Sequence, residues 1–249
     1  MLSHPTSDMS FVRQRRVDTE LLDQLPGDDP RATGSRHDLR RINAVMMQPR
    51  IVACALARYC KTAPRTIVDL GSGDGTFMLK VARRFSPRWR DVTVTLLDRH
   101  NIVSRETCDR FTDLHWRAEP LAADVFDFLE LLPRVDIDAI IANLFLHHFE
   151  DLQLERLMKQ VARQAPLFVA CEPRRGGMSL LLSTMTWAIG ANEVTRHDAV
   201  ASVRAGFRGQ ELSALWPEPD RWRLHEWAAS PVSQCFVAMR KAPENGNDV

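Results

Sequence analysis

VDLGSGDGTF, residues 68–77, places Gly71, Gly73 and Gly75 directly behind the short apolar strand read in RTIVDL (65–70). A short β-branched run, a glycine turn and then TFMLKVARRF, with Phe77, Val81 and Phe85 on one helical face, read as strand, turn and helix. The same rhythm continues outward. DVTVTLLD (91–98), LHWRA (114–118), DAIIANLFL (138–146) and PLFVACEP (166–173) read as further strands. Helices are expected between them at 101–111, 124–132 and 152–164. Strands alternating with helices predict a parallel sheet covered on both faces, and right-handed crossovers make it doubly wound. RWRLHEWA (221–228) and SQCFVAMRK (233–241) add an antiparallel end pair, so the sheet has seven strands.

Two regions break this rhythm. Residues 1–60 read as a helical extension, with a tail at 1–10, loop material at 26–35 and helical spacing from Arg36 to Cys60 interrupted by Pro49. Residues 176–216 form a helical insert in the domain 61–249. Its apolar face, Met178, Leu181, Leu182, Met185, Trp187 and Ile189, suits a lid over a hydrophobic ligand, core packing or a dimer contact.

Composition excludes several classes. Hydrophobic residues are 45% and charged residues 26% of the 249, an ordinary globular balance. The net charge of +1 makes no case for nucleic acid as the partner. Five scattered cysteines without CxxC point away from a disulfide framework or zinc knuckle and toward a reducing cytoplasm. No metal is expected from this spacing. The N-terminus lacks the apolar core of a signal peptide. The longest apolar run, Met178–Ala191, is shorter than the ~20 residues of a membrane span.

Ligands of open α/β sheets bind beyond the carboxyl ends of the strands, where the glycine turn sits. Glycines there allow positive φ and let a ligand lie on bare backbone. Asp98, at the tip of the second strand, suits the two hydroxyls of a ribose. A dinucleotide site wants GxGxxG with pyrophosphate on the helix N-terminus. Here the spacing is GxGxG, and Asp74 and Asp69 would repel a phosphate. A nucleoside with an amino group and a sulfonium suits these acids better, and S-adenosylmethionine is that ligand. An NAD-linked oxidoreductase is correspondingly disfavoured.

VDLGSGDG, LLD, AADVFD and DAIIANLFLHHF resemble, in order and spacing, the motifs of class I S-adenosylmethionine-dependent methyltransferases, over roughly residues 64–173. The resemblance implies a Rossmann-like methyltransferase fold. It implies that Asp69, Gly71, Ser72 and Gly73 line the methionine part, with Asp69 reaching the amino group. Asp98 and Arg99 then belong to the ribose side, Asp124 and Val125 to adenine, and Asn143 to the sulfonium. Asp124 also suits an N-cap.

LFLHHFED (144–151) puts two histidines where that fold presents the methyl group. Histidine suits removal of an acceptor proton because its pKa lies near neutrality. Leu146–Asp151 also resembles the LHDWSD signature of phenolic O-methyltransferases, which implies His147 as base, with His148 the second candidate. His148 and Phe149 replace that signature's Asp and Trp. NLFL after the fourth strand lacks the [ND]PP[FYW] element of nucleic-acid amino-methyltransferases. The segment from Glu172 to Leu215 resembles stand-alone bacterial methyltransferases associated with type III polyketide synthases, which implies a phenolic or pyrone acceptor. His148, Met185, His197 and Arg204 are the acceptor-side candidates, with Arg204 and Arg208 spaced to share a helix face. The expected reaction is O-methylation of a small aromatic or polyketide-derived acceptor, with S-adenosylhomocysteine as product and the protein a monomer or homodimer. C-methylation and a non-catalytic cofactor-binding domain are the alternatives.

Overall fold

The computed structural model describes residues 14–25, 29–31, 33–35, 38, 46–100, 102–131, 136–186 and 190–242. The expected tail at 1–10, most of 26–45, and Trp187 and Ile189 of the insert lie outside them. The N-terminal part contributes α1 (Leu21–Gln24) and α2 (Gln48–Tyr59). Pro49 stands in the first turn of α2, where its missing N–H costs nothing.

The alternating part follows as β1 (Thr66–Leu70), α3 (Thr76–Phe85), β2 (Val92–Asp98), α4 (Arg105–Thr112), β3 (Trp116–Ala122), α5 (Val125–Leu131), β4 (Ala139–Asn143), a 3-10 turn (Leu146–His148), α6 (Asp151–Gln164) and β5 (Leu167–Pro173). The insert supplies α7 (Gly177–Thr184), α8 (Glu193–Ala205) and α9 (Glu211–Leu215), and the chain returns as β6 (Trp222–Ala228) and β7 (Ser233–Arg240). The seven strands lie in the order β3-β2-β1-β4-β5-β7-β6. β1 to β5 are parallel, and β7 slots antiparallel between β5 and β6. The doubly wound sheet with its antiparallel C-terminal strand is as expected.

Both faces of the central strands are buried, which is why they read as continuous apolar runs rather than alternating ones. Ile140, Ala142, Phe168, Ala170 and Phe236 pack into one core. Their neighbours Ile141, Val169, Cys171, Cys235 and Val237 pack into the other. The strand order reverses between β1 and β4, so a crevice opens beyond Leu70 and Ala142, which are in register.

Three boundaries differ from expectation. β3 runs on to Ala122 through Pro120, because it is an edge strand that can spare a backbone donor. The helix expected from 101 starts only at Arg105, where the Ser104 hydroxyl accepts the N–H of Thr107. β4 stops at Asn143 rather than 146, because Leu144 takes a left-handed φ of 52° and swings the chain out of the ladder. Among the described residues no helix is long and apolar enough to cross a membrane.

Candidate active site

The glycine turn is held from below and open above. Gly71 has φ 69°, and a Cβ there would sit 2.3 Å from Phe145 Cδ2, so both conformation and contact demand glycine. The N–H of Ser72 donates to Leu97 O, and that of Gly73 to Asp98 Oδ2, tying the turn to the tip of β2. Gly73 has φ 55°, and nothing lies within 4 Å of where its Cβ would stand. That is a cradle a ligand can press against. Asp74 folds back onto α3, accepting the N–H and the hydroxyl of Thr76 through Oδ1. The helix N-terminus thus already carries its own anion, which disfavours a phosphate there.

Asp69 is 1% exposed, and its Oδ2 has no partner. Burial, and then the negative Asp98, push its carboxyl up to about 8. Asn143 Oδ1 and Ser72 Oγ are buried beside the same crevice, also without partners. Three orphaned polar groups around an open turn fit a ligand bearing a cationic amino group and further polar atoms. Asp98 accepts Gly73 N–H and His100 N–H on separate oxygens, and each oxygen keeps a lone pair for a hydroxyl. Asp124 caps α5 through the N–H of Phe126 and pairs with Arg99 at 2.9 Å. Val125 is buried at the first turn of that helix.

Beyond β4 the chain turns on Glu172, which is wholly buried at the end of β5. Its Oε1 accepts the N–H groups of Phe145 and Leu146, and its Oε2 is 2.8 Å from His147 Nδ1. The other nitrogen of His147 faces Glu20 Oε1 at 3.4 Å. Burial works against charge on His147, but hydrogen bonding to Glu172 and Glu20 outweighs it and raises the pKa to about 9. Burial likewise raises Glu20, yet His147 brings it down to about 2. The half-buried His148 lies against His147, ring centroids 4.3 Å apart.

Glu20 arrives on a stapled N-terminal segment. Arg15 donates to the carbonyls of His147, Phe149 and Ala205 and pairs with Asp151. The N–H groups of Leu21 and Leu22 donate to Asp198 of α8, and Ser202 donates to Glu20. Sequence reading singled out none of Arg15, Glu20 or Glu172 as a site residue. Glu172 carried a signal, an acid at the tip of a buried strand beside a histidine-bearing tip. Glu20 carried none.

The insert is less tightly drawn in. α7 buries Ser179 and Ser183 and leaves Met178, Leu181, Leu182 and Met185 exposed, so this apolar stripe is not core. His197 is half exposed, with Nδ1 2.9 Å from Asp198 Oδ1. Arg204 sits in the last turn of α8. Arg208 lies beyond the end of that helix, so the two arginines do not share a helix face as expected. Instead Arg175, 1% exposed, pairs with Glu211 and pins the insert to the sheet.

Residues 67–165 match the family described as Methyltransferase domain. No curated protein matches the chain. An O-methyltransferase family protein from Burkholderia thailandensis superposes with a TM-score of 0.61 at 16% identity, over 94% of this chain and 67% of that one. The plantazolicin methyltransferase BpumL, solved with SAH, gives 0.62 at 13% identity, over 88% and 94%. Mitomycin 7-O-methyltransferase MmcR gives 0.54 at 20% identity, over 89% and 61%. The chain therefore spans under two thirds of MmcR and nearly all of BpumL. At these identities the likeness is one of fold.

Proposed function

We propose that this chain, whose residues 67–165 match the methyltransferase-domain family, uses S-adenosylmethionine to methylate an oxygen of a small hydrophobic aromatic or polyketide-derived acceptor. The observation that carries the reading is the cluster of Glu20, His147 and His148 at the tip of β4, next to the switch point. The O-methyltransferases among the similar folds support oxygen as the atom methylated.

The orphaned Asp69 would take the amino group, with Gly71, Ser72 and Gly73 along the methionine part. Asp98 would hold the ribose, Arg99, Asp124 and Val125 would flank adenine, and Asn143 would lie by the sulfonium. When bound, the cofactor supplies an electrophilic methyl group. The protein's own work is to place the acceptor oxygen in line and to free it of its proton. We assign activation of the acceptor hydroxyl to the cluster acting as a unit rather than to His147 as a lone base, because Glu172 and Glu20 already face its two nitrogens; the proton leaves to solvent. Glu172 fixes the ring, and Glu20 and His148 complete the surface that meets the hydroxyl. Met185, His197 and Arg204 are assigned to the outer, acceptor-side rim of the insert. We assign the protein to a reducing cytoplasm from its five scattered cysteines.

Labelled methyl transfer to a panel of phenols and pyrones, with the products resolved by NMR, tests this. His147→Ala should keep affinity for S-adenosylhomocysteine and lose turnover by ~10²–10⁴-fold, because the group that activates the acceptor hydroxyl is gone. An unchanged rate in that variant, or methyl groups found on carbon, overturns the reading.

A further inference from the structure

Glu20, His147 and His148 reach one point from distant parts of the chain. One donor atom of each lies within 4.8 Å of the other two. The 3.4 Å between His147 Nε2 and Glu20 Oε1 is at the long end for an N–H···O bond, so an ion can replace the shared proton there. Two ligands on one tetrahedral ion, each about 2.1 Å from it, stand about 3.4 Å apart. The His147–Glu20 separation therefore fits two ligands of one cation, and a donor atom of His148 lies within 4.8 Å of both.

The surroundings point the same way. A metal-bound histidine characteristically gives its second N–H to a carboxylate, which fixes the tautomer and turns the bare lone pair on the metal. Glu172 Oε2 stands in that place, 2.8 Å from Nδ1. Glu172 is itself anchored by Phe145 N–H and Leu146 N–H, so the ring is held before any ion arrives. Glu20 is equally fixed. Ser202 donates to its carboxylate, and Asp198 holds the next two backbone groups.

We propose that Glu20, His147 and His148 bind a zinc ion whose fourth position takes the acceptor's oxygen. Two imidazoles and one carboxylate with a position left open form a ligand set of the catalytic zinc type, and imidazole disfavours magnesium and calcium. The acceptor hydroxyl coordinates zinc through oxygen and gives its proton to solvent, as zinc-bound water does near neutrality. The bound oxyanion then faces the crevice between β1 and β4. The proposal rests on reading this cluster as the acceptor site, and it narrows the acceptor to one with an ionisable hydroxyl.

The test uses the full chain, stripped with a chelator and titrated with zinc chloride against a chromophoric competitor, with no acceptor present. One zinc per chain is expected, not displaced by millimolar magnesium. Glu20→Gln and His148→Ala should each weaken it ~10-fold or more, while Glu172→Gln, one shell out, should weaken it by ~10–100-fold. Circular dichroism checks that each variant is folded, and cobalt substitution should give visible bands lost in the folded variants. Absence of stoichiometric zinc, or binding indifferent to both Glu20→Gln and His148→Ala, overturns the proposal. Zinc binding without methyl transfer to any hydroxyl would sink the proposed reaction and leave the site. Undiminished methyl transfer by metal-free protein would do the reverse.

Discussion

Asp69 should make cofactor binding pH-dependent in a predictable way. Its carboxyl is 1% exposed, one oxygen lacks any partner, and burial together with Asp98 pushes it up to about 8. In the free protein near neutrality it is therefore mostly protonated. The amino group of S-adenosylhomocysteine is cationic and needs the ionised form, so binding must expel a proton. At pH 6, about two units lower, roughly one molecule in a hundred is ionised, and apparent affinity falls by that fraction. The product should bind ~100-fold more weakly at pH 6 than on the plateau above pH 8, about 2.7 kcal/mol at about 1.36 kcal/mol per unit. Calorimetry in buffers of different ionisation enthalpy reads both the affinity and the proton released. Asp69→Asn should bind weakly, with no slope and no proton release. The folded pKa lies above the unfolded 3.8, so this group's contribution to folding is complete below about 3.8 and lost as pH rises through about 8. Unliganded protein should accordingly lose stability across that window, and Asp69→Asn should flatten the loss. Equal affinity at pH 6 and pH 8 in the wild type would refute the reasoning.

Three further outcomes follow from the geometry around the site. Gly71→Ala combines a left-handed backbone, costing about 1–2 kcal/mol, with a clash against Phe145 of the overpacking kind, about 1–3 kcal/mol, so thermal or urea denaturation should show a loss of about 2–5 kcal/mol. Gly73→Ala meets nothing in the protein and should cost only the backbone strain, yet abolish cofactor binding by filling the cradle; a variant that binds normally removes Gly73 from the site. Asp198→Ala removes the acceptor for Leu21 N–H and Leu22 N–H. Hydrogen exchange at residues 20–22 should then speed up while the β1–β4 core stays protected, and unchanged protection there would show that α8 does not hold the segment.

What could be read from sequence was local. β1, the glycine turn and α3 lie consecutively, and each is written in short-range terms: a buried apolar run, positive-φ glycines, a helical stripe. Asp98 and Asp124 were legible because strand tips in this fold line one edge of the sheet. Boundaries slipped where a single side chain elsewhere decides them, as when Glu172 captures the backbone of Phe145 and Leu146 just beyond Asn143. The position of β7 between β5 and β6 depends on pairing across the sheet, which no local period records. The same holds for the candidate cluster of Glu20, His147 and His148. The stretch LHHF marks two histidines, but what faces each ring nitrogen depends on Glu20, which reaches His147 because Arg15 and Asp198 fasten the N-terminal segment. By itself the sequence determined the fold class and marked the candidate cofactor edge, since both follow from short-range patterns of apolarity and glycine. Tertiary structure alone decided the chemistry available at His147, because burial and the approach of distant carboxylates set the state of an ionisable group.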